Sequence, residues 1–222
     1  MERVEKKYFC SDYEILLLQQ RLSAVLMLDE HQRQNAYQVR SLYFDTPYDT
    51  CYQDNESGVD ERRKYRMRIY SSDNEFVKFE IKSKKHEKVW KDVSFLTREE
   101  AKRIIYGQKS GNEKVDFLIA ENMLQPKIIV EYERTAYVYQ LGNVRITFDR
   151  NISASYETEK FFSDTFLRIP VLSTHMQLME VKYDEFLPDV IGRILETGNL
   201  KQVTFSKYYI GRQKTEIWRI PG

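Results

Sequence analysis

The chain has 222 residues, 41% of them hydrophobic, with 16 Tyr and 12 Phe, enough to bury a sizeable core and too apolar for a disordered chain. Its 35 Lys and Arg against 34 Asp and Glu give a formal net charge of +1, which argues against a general nucleic-acid binder, whose surface is usually basic. No apolar run approaches the roughly 18 residues of a membrane span, and Met1 leads into Glu2 and Arg3 without a signal-peptide core. Cys10 and Cys51 lack metal-site spacing and read as free thiols of a reducing compartment, so the expected location is the cytoplasm.

In chain order, a first period-two strand is expected over 2–9. Ser11-Asp-Tyr-Glu14 has the form of a capping box and predicts a helix running to Leu28. Strands follow over 38–45, 64–71, 75–83 and 88–95. Thr97-Arg-Glu-Glu100 repeats the capping signal, and Gly107 is placed to close that helix. A helical pattern covers 112–124, and strands are expected over 127–139, 143–150 and 176–183. Tyr156–His175 carries no clear pattern. A helix over 188–197 precedes Gly198, and a last one covers about 204–213. Eight such strands predict a β-dominated α+β fold, an eight-stranded antiparallel β-barrel or sheet with helices outside, as one domain over 1–222.

Charges sort by face within these strands, because residues two apart point the same way. Arg66 and Arg68 oppose Tyr65, Met67 and Ile69. Lys78, Glu80 and Lys82 oppose Val77, Phe79 and Ile81, and Arg145, Thr147 and Asp149 oppose Val144, Ile146 and Phe148. Arg3, Glu5 and Lys7 align in the first strand, Glu180 and Lys182 in the last. An ordinary sheet with its polar face in water would also carry such pairs, yet exposed pairs contribute only ~0–1 kcal/mol. From Glu61 to Lys91 there are eleven Lys/Arg against five Asp/Glu. Cations gathered in a shared interior would repel one another unless an anion filled it. Arg forks suit phosphate oxygens, and the interspersed carboxylates suit Mg²⁺ or Mn²⁺.

Seven short motifs then resemble, in order, those of a VTC domain, the polyphosphate polymerase domain of the triphosphate tunnel metalloenzyme (CYTH-like) superfamily. They are Arg3-Val-Glu-Lys-Lys7, Tyr65-Arg-Met-Arg68, Phe79-Glu-Ile-Lys82, Tyr132-Glu-Arg-Thr-Ala-Tyr137, Val144-Arg-Ile-Thr-Phe-Asp149, Met179-Glu-Val-Lys182 and Phe205-Ser-Lys-Tyr208. The resemblance implies an eight-stranded tunnel in which Lys7, Arg66, Arg68, Lys82, Arg134 and Arg145 hold phosphates at the catalytic centre. Tyr132, Lys182, Ser206 and Lys207 are implied as further phosphate contacts, and so is Lys91, with Lys88 as its competitor. Glu180, with Glu5 and Glu80, is implied for the metal, Mn²⁺ or Mg²⁺. Arg3 stands where the hydrolase branch usually has a first Glu, which favours the polymerase branch. The implied form is a stand-alone one, without the regulatory domain or membrane spans of eukaryotic members and with a separate membrane partner.

The expected reaction is transfer of the ATP γ-phosphate to a growing polyphosphate chain, with ATP and polyphosphate or pyrophosphate as partners. An anionic phosphate nucleophile needs no dedicated base, which suits a chain with only three His, at 31, 86 and 175, all expected at the surface. A tripolyphosphatase or nucleoside triphosphatase of the same fold, or a non-catalytic polyphosphate-binding module, is the alternative. Arg62 and Arg63 are expected in a loop before the second charged strand and should matter less than Arg66.

Overall fold

A computed structural model of the chain describes residues 3–30, 32, 36–70, 73–86, 88–197 and 200–218. The elements are β1 (Arg3–Ser11), α1 (Asp12–Leu22), β2 (Met27–Leu28), β3 (Tyr37–Asp45), α2 (Thr50–Glu56), β4 (Arg62–Tyr70), β5 (Asp73–Lys85) and β6 (Lys88–Thr97). After them come α3 (Arg98–Ile105), α4 (Glu113–Glu121), β7 (Gln125–Tyr139), β8 (Val144–Ser155), β9 (Ile169–Pro170), β10 (Met176–Asp184), α5 (Asp189–Leu195), β11 (Lys201–Gln202) and α6 (Lys207–Trp218). The eight long strands are those read from alternation. β2, β9 and β11 are too short to show a period. α2, which the sequence pattern did not predict, is capped from the end of the strand that precedes it: the Asp45 carboxylate accepts from the Cys51 and Tyr52 backbone N–H groups, at 2.8 and 3.0 Å.

Hydrogen-bonded strands follow the order β11-β1-β10-β8-β7-β3-β4-β5-β6. The path does not return on itself among the described residues, so the expected closure into a barrel is not seen. β11 offers only two residues to a neighbour, too few for a long ladder. No helix among the described residues is long and apolar enough to cross a membrane.

Two compact units divide the chain. The first draws on Met1–Gln38, Tyr132–Ile152 and Leu172–Phe205, the second on Val39–Glu131, Ser153–Val171 and Ser206–Gly222. In the first unit, β1 pairs antiparallel with β10, and β10 with β8. One face of this ladder is apolar: Cys10, Met179, Val181, Val144, Ile146 and Phe148 pack with Ile15, Leu18 and Leu22 of α1 and Ile191 of α5. Ser11 and Glu14 form the expected capping box. The helix stops at Leu22 rather than Leu28 because Met27 and Leu28 pair with Val138 and Tyr137.

In the second unit, β3, β4, β5 and β6 form an antiparallel meander. Its apolar face buries Leu42, Phe44, Tyr65, Met67, Val77, Phe79 and Leu96, with Ala101 and Ile104 of α3 also buried. Phe44 and Phe79 meet at 5.7 Å between ring centroids. α6 lies against the sheet at Gly211, where a Cβ would come within 2.9 Å of Ile128 Cδ1 and 3.3 Å of Ala154 Cβ. Without a side chain at that position the helix backbone can approach this closely.

Part of the patternless stretch acquires a structural reason here. Arg40 pairs with Glu131 at 2.6 Å and donates to the Phe161 and Ser163 carbonyls, at 2.9 and 2.7 Å. Phe161 is fully buried, and Arg168 closes the pair from outside at 2.7 Å from Glu131. The loop satisfies a buried guanidinium that would otherwise be costly.

Candidate functional site

The polar face of the second unit is organised by strand register. Directly opposed residues share a face. Ser41, Arg68, Lys78 and Phe95 make one row, Tyr43, Arg66, Glu80 and Val93 the next, and Lys64, Lys82 and Lys91 a third. Glu80 is the hub, with its side chain only 1% exposed. Arg66 Nε reaches its Oε2 at 2.6 Å, Arg68 Nη1 the same oxygen at 3.5 Å, and Lys91 Nζ the Oε1 at 2.6 Å. Burial works against the charge of Glu80, but Arg66, Arg68 and Lys91 hold its carboxyl down at about 2.

Phenols and hydroxyls brace these cations. Arg66 donates to the Tyr43 hydroxyl at 3.3 Å, and Arg68 to Ser41 Oγ at 3.3 Å and the Tyr70 hydroxyl at 3.4 Å. Burial resists ionisation of Tyr43, yet Arg66, Arg68 and then Lys207 keep it below the ordinary phenol range. The charge of Lys207, the first residue of α6, therefore reaches this cluster. Ser206 joins it too, its Oγ accepting from Lys64 Nζ at 2.8 Å. α6 is anchored by the Tyr208 hydroxyl, which donates to Asp45, and by Arg212, whose Nη1 and Nη2 lie 2.8 and 2.9 Å from the Asp49 carboxylate.

In the first unit the polar face alternates in sign. Lys7, Glu180 and Thr147 form one row, and Glu5, Lys182 and Arg145 the next. Lys7 Nζ lies 3.0 Å from Glu5 Oε1 and donates to the Phe205 carbonyl at 2.9 Å. Lys182 Nζ lies 3.3 Å from Glu5 Oε2 and 3.2 Å from Glu180 Oε1. Arg134 forks onto the fully buried Asp149 at 2.6 and 2.8 Å and stands over the Tyr132 ring at 5.1 Å. Burial opposes the charge of Arg134, but Asp149 and Tyr132 hold it well above the ordinary arginine range. Arg145 contacts Asp29 at 2.8 Å and the Tyr37 hydroxyl at 3.3 Å. The Thr147 Oγ is buried with no hydrogen-bond partner among the described residues.

No group of three or more His, Cys, Asp or Glu gathers to hold a metal among the described residues. Mg²⁺ with a phosphate substrate, however, commonly uses one or two carboxylates and fills its remaining positions with water and phosphate oxygens. Glu5 and Glu180, which converge on one ammonium, with the unpaired Thr147 hydroxyl beside them, fit that demand. Glu80 does not: three cations engage it, and it anchors the cation cluster instead.

The expected residues thus fall into two groups. Arg66, Arg68, Glu80, Lys82, Lys91, Ser206 and Lys207 belong to the second unit, and Glu5, Lys7, Tyr132, Arg134, Arg145, Glu180 and Lys182 to the first. Lys91, opposite Lys82, shares its face with Glu80, whereas Lys88 falls on the other face. Arg62 and Arg63 are not in a loop but open β4, Arg62 on the face of Lys64 and Arg63 on the reverse. Tyr43, Lys64 and Asp29 also join these clusters, and the alternation from Ser41 through Tyr43 to Asp45 marks that face of β3. His86 and His175 are exposed and pair with Asp60 at 2.7 Å and Asp12 at 2.9 Å. His31 and Gly198 lie outside the described residues.

The family described as the VTC domain matches residues 2–215. A comparison with curated proteins finds no match. Among solved structures, a protein from Pyrococcus horikoshii OT3 is similar at a TM-score of 0.53 and 15% identity, over 96% of this chain and 99% of that one. A candidate adenylate cyclase from Bacillus halodurans gives 0.54 and 14%, over 93% and 96%. Another from Vibrio parahaemolyticus gives 0.51 and 12%, over 95% and 97%. At these identities the likeness shows the fold.

Proposed function

The chain belongs to the VTC-domain family, and from that premise we propose that it is an ATP-dependent polyphosphate polymerase. The observation that carries this reading is the surplus of positive charge around Glu80: Arg66, Arg68 and Lys91 converge on one carboxylate. Cations gathered on one buried carboxylate in this way are suited to a phosphate chain.

In the reaction, a terminal phosphate oxygen of the growing chain attacks the γ-phosphorus of ATP. The new P–O bond forms as the bond to the β-phosphate bridging oxygen breaks, and ADP leaves with that electron pair. The nucleophile is already an anion, so positioning and charge neutralisation supply the catalysis. Arg66 and Arg68, braced by Tyr43 and Ser41, orient phosphate oxygens in this scheme, while Lys82, Lys91 and Lys207 offset the charge of the chain. Lys7, Arg134 and Arg145 hold further phosphates, with Arg134 fixed by its fork on Asp149. A divalent cation, Mn²⁺ or Mg²⁺, held by Glu5 and Glu180 would neutralise phosphate oxygens. A cytoplasmic setting, with its supply of ATP, suits the reaction.

The test is incubation of the purified protein with ATP, Mn²⁺ and a pyrophosphate seed, followed by a gel stained for polyphosphate. A ladder of chains with matching ADP is expected. Orthophosphate without a ladder would move the assignment to a hydrolase of the same fold. Binding of polyphosphate without turnover would leave a non-catalytic module.

A further inference from the structure

Lys182 occupies an unusual position for a residue expected to bind phosphate. Its ammonium lies 3.3 Å from Glu5 and 3.2 Å from Glu180, while the second Glu5 oxygen is taken by Lys7 at 3.0 Å. Glu5 and Glu180 belong to neighbouring strands, and their convergence follows from register: Glu5 faces Lys182 and Lys7 faces Glu180. On the far side of β10, Lys182 faces Arg145 and Glu180 faces Thr147. Lys182 is therefore flanked by two carboxylates on one side and a guanidinium on the other.

We propose that Lys182 is the resident counter-ion of the Glu5–Glu180 pair, and that a divalent cation enters only by displacing it. This rests on the reading of Glu5 and Glu180 as the metal carboxylates. Mg²⁺ holds its oxygen ligands at about 2.0–2.1 Å, so a cation held by Glu5 and Glu180 would need the space the ammonium fills. Two cations cannot share that space. Lys182 is about one-third exposed and has room to swing away, but its departing charge meets Arg145. A phosphate chain gives it a destination. Bare metal therefore binds weakly, and metal and phosphate chain bind as a coupled pair, each raising the affinity of the other. The Thr147 hydroxyl, buried and without a partner among the described residues, would gain one from the metal or its bound water.

The test is titration of the full chain with Mn²⁺, reading free Mn²⁺ by electron paramagnetic resonance, with and without a non-hydrolysable triphosphate. Lys182→Met should raise the affinity for Mn²⁺ alone by about tenfold or more, and should shrink the coupling to triphosphate, which typically spans 5–150-fold. Lys182→Gln, checked by thermal melting, guards against a folding defect in the first variant. Adding Glu180→Gln to Lys182→Met should abolish the gain. Equal, Glu180-dependent binding by wild type and both Lys182 variants would overturn the displacement and leave the metal site standing. No binding in any of them, even with triphosphate, would overturn the metal site and the displacement together.

Discussion

The polar faces of the two units are built from the same residue types but balanced differently. In the first unit, Lys7, Arg134, Arg145 and Lys182 meet the carboxylates Glu5, Asp149, Asp29 and Glu180, cation for anion. In the second, Arg66, Arg68 and Lys91 converge on Glu80, in rows that also carry Lys64, Lys78 and Lys82. A balanced face can be stable without ligand, and its carboxylates can exchange an ammonium for a metal. An unbalanced face gains most from a polyanion, because mutual repulsion of its cations is relieved on binding. On the proposed function, the metal would be held in the first unit and phosphate charge would be drawn most strongly to the cations of the second.

The largest effect that would sharpen this contrast is expected at Glu180. Glu180→Gln should lower chain growth by several kcal/mol of transition-state stabilisation, on the order of 10³-fold, with the melting temperature little changed. A full-rate variant would remove Glu180 from the metal site. Arg66→Ala comes next, with a loss of roughly 10²–10³-fold in turnover accompanied by weaker triphosphate binding in calorimetry.

Glu80→Gln should act mainly on stability. It strands Arg66, Arg68 and Lys91 around a neutral amide, at a cost of about 3–5 kcal/mol, and added tripolyphosphate should recover part of the melting temperature. The same carboxylate gives a pH signature. Its folded value of about 2 lies below the ordinary 4.5, so its stabilisation is complete above about 4.5 and is lost as pH falls from there through about 2. The wild-type melting curve should show that acid slope and Glu80→Gln should lack it. The smallest effect is expected at Arg63, on the reverse face of β4. Arg63→Ala should leave triphosphate affinity within about twofold, and a loss equal to that of Arg66→Ala would mean that strand face does not select phosphate ligands.

Much of this was legible in the sequence because alternation and capping are local. All eight long strands and the boxes at Ser11 and Thr97 were readable from their own residues. What escaped depends on partners far along the chain. α1 ends where Met27 turns to pair with Val138. The loop after β8 is ordered by Arg40, more than a hundred residues earlier. At the site, the residue types on each strand were visible, but which cations share a carboxylate was not. Glu80 read as a metal ligand because alternation shows a face and not the neighbours across it; register reveals Arg66 opposite and Lys91 within reach.

The most direct test of the division between the units is calorimetric titration of tripolyphosphate in the presence of a chelator, comparing wild type, Glu180→Gln and Arg66→Ala. Wild type and Glu180→Gln should bind alike without metal, with an affinity that falls as salt rises, while Arg66→Ala should bind much more weakly. If Glu180→Gln instead lost this metal-free binding as fully as Arg66→Ala, phosphate and metal could not be assigned to separate faces, and the account would fail.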